Sequence, residues 1–215
     1  MKDETIIKNE WTKHFNLTAI SSCKFYKIAG CFVIGFEIIK KYGLLQPVFI
    51  LNPLWKETIK ECYSWTYIMH RIKNTNGLGY QITISQMIEC KETLFSDAEN
   101  YMCFNLLEDI HKRDILRLVD QIWEEKNLSK QVLMTELKVY LATYLNDVEL
   151  LKETVYSIDS LRVDMDYQWF KNCFGEYDKW KENLMSVFSN RQAVLDKIEE
   201  NIANSKIKER VELLP

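Results

Sequence analysis

No stretch of this sequence is apolar for long enough to cross a bilayer. The best candidate, Ala29 to Ile39, is about half the required length, is interrupted by Glu37 and runs into Lys40 and Lys41. The chain opens on Met1-Lys2-Asp3-Glu4, which is charged and leads into no apolar segment of the secretory kind. No membrane segment is expected, and the location expected is cytoplasmic. Motifs that build catalytic sites are missing as well. Neither G-x-x-x-x-G-K-[ST] nor G-x-G-x-x-G occurs, so there is no glycine-built cradle for phosphate, and neither G-x-S-x-G nor H-E-x-x-H is present. His14, His70 and His111 are the only histidines and lie in three different segments, so a histidine metal site or triad would need distant convergence.

Glycine and proline are scarce beyond residue 80. Gly30, Gly35, Gly43, Gly77 and Gly79 precede that point, with Pro47 and Pro53; only Gly175 and the terminal Pro215 follow it. Turns use these residues for their dihedral angles and helix interiors reject them, so strands and turns come first and helices second. Clustered cysteine is lacking too. Cys23, Cys31, Cys62, Cys90, Cys103 and Cys173 are scattered without a C-x-x-C pair, which reads as reduced thiols packed as small apolar groups.

What is present is ordinary globular material. The 215 residues are 47% hydrophobic and 27% charged, enough to bury a core. The formal charge of −3 is unevenly spread: residues 1–95 carry 12 Lys and Arg against 8 Asp and Glu, the remainder 16 against 23. Opposite signs favour docking of the two parts. With no dense basic run, and a pI near 5.8, nucleic acid is not the expected partner.

Periodicity fills in the elements. Ile7, Trp11 and Phe15 lie four apart, which predicts a helix from Glu4 to Phe15. Lys24 to Ile28, the alternating Phe32, Ile34, Phe36 and Ile38, and Val48 to Leu51 predict strands, with Tyr42-Gly43 as a turn. Leu54 to Ile72 fits a helix through Ile59, Cys62, Tyr63 and Tyr67 or a strand through its aromatic Tyr63 to Ile68 stretch, with a helix from Leu54 to Met69 favoured; 74–79 reads as a loop, and Tyr80, Ile82 and Ile84 as a fourth strand. Ser96-Asp97-Ala98-Glu99 has the form of a capping box, predicting a helix from there to about Glu125. Further helices are expected from Asn127 or Ser129, from Asn146 to Ile158, and on either side of a Ser189-x-x-Gln192 box, the last fraying at Lys206 to Arg210. The pair from Leu137 to Ile158 resembles one helix-turn-helix unit of an α-solenoid, but no second copy follows at a fixed period.

The fold class is therefore α+β: a small antiparallel sheet of about four strands with one or two helices (1–95), then an antiparallel all-helical part (96–215), docked as one unit. Asp159, Asp164 and Asp166 are the best carboxylate grouping for a divalent cation, although helix capping explains them more simply. No catalytic residue, metal ligand or cofactor is assigned. The aromatic residues are more suggestive. Trp55, Tyr63, Trp65 and Tyr67 form one cluster, and Tyr167, Trp169, Phe170, Phe174, Tyr177 and Trp180 another. Since Trp and Tyr anchor protein interfaces, Trp55, Trp65, Tyr67, Trp169, Phe170 and Tyr177 are the candidate binding residues and another protein the expected partner. In general build the chain is similar to small immunity-type proteins, which implies an inhibitory or neutralising role. An enzyme using a carboxylate-held metal is the alternative.

Overall fold

The computed structural model describes residues 2–64, 66–102, 104–123, 128–161 and 167–215. Helix α1 (Lys2–Phe15) buries Ile7, Trp11 and Phe15 on one face and ends where Asn16 turns into the left-handed region at φ 49°. Strands β1 (Thr18–Ala19), β2 (Lys24–Ala29), β3 (Phe32–Lys41), β4 (Leu44–Pro53) and β5 (Ile68–Arg71) follow as an antiparallel sheet in that spatial order. Tyr42 and Gly43, both at positive φ, close the β3–β4 hairpin; two such residues match the right-handed twist of the flanking strands.

Register places Phe25 opposite Phe36 and Phe36 opposite Phe49, a row of rings across three strands. Trp11 lies over this row, 4.9 Å from Phe36 between ring centres, and meets Phe95 edge-on at 5.1 Å. Each such buried ring contributes about 1.5–3 kcal/mol. Gly35 makes the close pairing possible, because a Cβ there would stand 2.1 Å from the carbonyl oxygen of Phe25.

The stretch expected as one helix from Leu54 to Met69 is instead the short α2 (Ile59–Ser64) followed by β5. Ile68 to Arg71 pair with β4, extended by the amides of Tyr67 and Ile72, and this tertiary pairing outweighs helix propensity. The expected strand at Tyr80 to Ile84 is reduced to a bridge between Ile82 and Leu45. Thr83 diverts the chain: it and Gln86 form a complete capping box that starts α3 (Ile84–Glu89).

The expected boundary at Ser96 falls inside α4 (Lys91–Met102), whose buried Leu94, Phe95, Ala98 and Met102 run through it as one stripe. The Ser96 pattern is thus not a helix start. Nor does one helix reach Glu125. After α4 the amide of Leu107 bonds the Asn105 side chain, a local turn that competes with helix. Beyond it come β6 (Ile110–His111) and α5 (Lys112–Trp123).

Helices α6 (Leu128–Leu145), α7 (Val148–Leu161), α8 (Tyr167–Phe174), α9 (Tyr177–Ser189) and α10 (Arg191–Asn204) complete the helical part. The cap of α7 is Asp147, which accepts from the amide of Leu150; Asn146 adopts φ 56° and ends the previous helix. Ser189 is the last residue of α9, and a single residue, Asn190, separates α9 from α10. Residues 205–215 do not fray. They form a strap in which β7 (Arg210–Val211) pairs in parallel with β2 and β8 (Leu213–Leu214) with β6. Among the described residues no helix is long and apolar enough to cross a membrane.

Helix α6 explains how the parts join. Its Met134, Leu137 and Leu141 belong to the main core with the sheet, while Val132 and Val139 belong to a second cluster with Ile158, Phe170, Tyr177, Trp180 and Leu184. A helix apolar on both sides is buried on both sides.

Candidate functional site

The two aromatic clusters meet across α6. Trp55, at the exit of β4, stacks on Tyr140 with ring centres 4.4 Å apart and planes 7° from parallel, and touches Tyr67 edge-on at 5.6 Å. Tyr67 donates its hydroxyl to Glu136 at 2.8 Å and accepts from Lys56 at 3.2 Å. From the other side the indole of Trp180 reaches the second oxygen of Glu136 at 3.4 Å. Phe170 packs against Phe174, Tyr177 and Trp180, and the Tyr177 hydroxyl bonds the carbonyl of Ile158.

Burial, and then the charge of Glu136, hold the Tyr67 hydroxyl well above the usual tyrosine range. The same two causes push Tyr140 up to about 12. Both phenols therefore remain protonated at neutral pH, and the cluster works as a hydrogen-bonded seam. The indole nitrogen of Trp55 is buried with no hydrogen-bond partner among the described residues.

Four of the expected binding residues are thus located in the interior: Trp55 at 7% exposure, Tyr67 at 5%, Tyr177 at 3% and Phe170 at 0%. Little or none of their surface reaches solvent. Trp65 and the side chain of Trp169 lie outside the described residues, as do Asp164, Asp166 and the side chain of Asp159. Among the described residues, no three His, Cys, Asp or Glu side chains are grouped to hold a metal ion. A groove of about 460 Å³ lies beside the strap, lined among others by Asp109, Tyr144, Glu199 and Arg210.

The accessible chemistry lies at the rim of the sheet. Leu45 exchanges both of its main-chain hydrogen bonds with Ile82, which fixes the odd residues of β4 as those that point toward β5. Phe49 and Leu51 then bond His70 and Ile68, and Ile72 gives its amide to Pro47. By the same alternation the N–H and C=O groups of Met69 and Arg71 point off the sheet, where no strand follows β5.

Side chains on this rim are uneven. His70 turns inward and stacks on Tyr101 at 4.1 Å, next to Phe49. Met69 is 54% exposed, and Arg71 and Lys73 are exposed with no carboxylate partner among the described residues. Lys41, which shares a face with Arg71 by register, lies over the Tyr42 ring.

Sequence reasoning missed this rim because the segment was read as helix. The signal was the inward alternation of Ile68, His70 and Ile72 against outward Met69, Arg71 and Lys73. No protein-family model matches the chain, and no curated protein or solved structure does.

Proposed function

We propose that this chain is a non-enzymatic protein-interaction module that captures another protein at the β5 rim of its sheet, in the manner of an inhibitor or immunity-type partner. One observation supports this reading above the others. The β5 rim combines an exposed apolar side chain with main-chain groups and cations that have no partner among the described residues. These are the ingredients of recognition by strand addition. The aromatic clusters enter indirectly, because they brace the sheet against the helices and hold the rim rigid.

The test is a photo-crosslinking residue placed at Met69 in cells of the source organism, with Lys208 on the strap as the control position. A discrete adduct formed from position 69 and not from 208 is the expected result. Equal or absent labelling from both positions would overturn the proposal.

A further inference from the structure

The geometry points to a specific occupant for the β5 rim: an extended, acidic segment of the partner protein that adds as a strand alongside Met69 and Arg71. This inference rests on the interaction-module reading and names the chemistry of the partner.

The two rims of the sheet are finished differently. On β2 the outer edge is occupied twice, by β1 opposite Phe25 and Tyr26 and by β7 opposite Ile28 and Ala29. On β5 the hairpin that follows covers only the far end, where Tyr80 gives its amide to Ile72 and Asn74 to Leu78. Between Tyr67 and that hairpin the outward donors and acceptors of two residues, Met69 and Arg71, have no main-chain partner among the described residues. An added strand would bond them at the ordinary 4.7–4.9 Å spacing.

Charge then selects among possible strands. Positive side chains on a free rim are a known guard against edge-to-edge pairing. A second copy of β5 would bring Arg71 and Lys73 against the same cations, so the rim repels itself. An acidic strand meets the opposite situation, since Arg71 and Lys73 have no carboxylate partner among the described residues. The nearest carboxylate in register, Glu37, lies two strands away from Arg71, roughly 10 Å by strand spacing, and is engaged by Lys24 and Tyr26. A long polyanion such as nucleic acid is disfavoured by the surplus of 7 acidic residues beyond residue 95.

The experiment pans a displayed library of random dodecapeptides on the immobilised full chain. The selected peptides are then titrated against the wild type and R71E/K73E, with amide exchange read residue by residue. We expect peptides with Asp or Glu alternating with β-branched residues, protection of the Met69 and Arg71 amides on binding, and affinity about tenfold weaker for the double variant. Neutral or basic peptides, equal affinity for R71E/K73E, or protection confined to other segments would overturn the acidic-strand assignment. So would preferential binding of a single-stranded oligonucleotide probe through Arg71 and Lys73. In each of those cases a specific adduct from Met69 would leave the module reading standing. Loss of both the adduct and the peptides would end both.

Discussion

The closed rim at β2 and the open rim at β5 belong to one sheet and are built from similar residues, yet the chain invests in only one of them. Thr18 accepts the amides of Lys208 and Glu209, Ile28 gives its own amide to Glu209, and Glu212 bonds Asp109. Gly30 lets the strap close, because a Cβ there would meet Leu213 at 2.6 Å and Tyr144 at 3.0 Å, and its φ of +54° is a glycine conformation. No comparable cover follows β5 among the described residues. The difference teaches that an unfilled edge can be identified by asking where each main-chain group goes, rather than by looking for exposed aromatic rings.

Substitutions should divide along this line, costing stability at the closed rim and binding at the open one. The largest effect is expected inside the sheet: Gly35→Ala drives a Cβ into the Phe25 carbonyl and should lose at least ~4 kcal/mol in urea unfolding. Next is Gly30→Val, with about 3 kcal/mol lost and faster exchange of the Ile28 amide as the strap lifts. Thr18→Ala removes one acceptor from two strap amides and should cost about 1–2 kcal/mol, seen as a lower urea midpoint.

A helical control away from both rims is Asp147→Ala, worth about 1 kcal/mol for the lost cap. The Leu150 amide, and then Lys112, hold the Asp147 carboxyl below its ordinary value. Its contribution is therefore complete above the unfolded-state value near 4 and disappears as pH falls through the lowered folded value. Wild type and variant should converge in stability there. Smallest is R71E/K73E, expected to change unfolding free energy by no more than about 0.5 kcal/mol while weakening the Met69 adduct.

Much of the sheet was legible because alternation is a strong signal. Phe32, Ile34, Phe36 and Ile38, with the Tyr42-Gly43 turn, place β3 and its hairpin where the structure has them. The division into a sheet-containing part and a helical part was legible from glycine and proline usage. Helix limits were less so. Ser96 and Glu99 have the spacing of a cap, but nothing local reveals that Leu94 and Phe95 already belong to the same buried stripe. The strap was hidden because four of the five residues from Lys206 to Arg210 are charged; main-chain pairing and the burial of Ile207 order them.

The aromatic residues expected as a binding set have a different relation in space from the one their composition suggested. Trp55, Tyr67, Phe170 and Tyr177 do converge, from segments more than 100 residues apart, but they converge inward on α6. Composition can identify an aromatic cluster, whereas which side of a helix covers it depends on contacts distant in sequence.

Amide hydrogen exchange on the free protein tests the central contrast most directly. Ile28, whose amide points off β2 into the strap, should exchange slowly, and so should His70, which faces β4. Met69 and Arg71 should exchange faster than either by about a hundredfold or more, as expected for amides open without unfolding. Protection of Met69 and Arg71 equal to that of Ile28 would mean that the β5 rim is already covered, and would contradict the account.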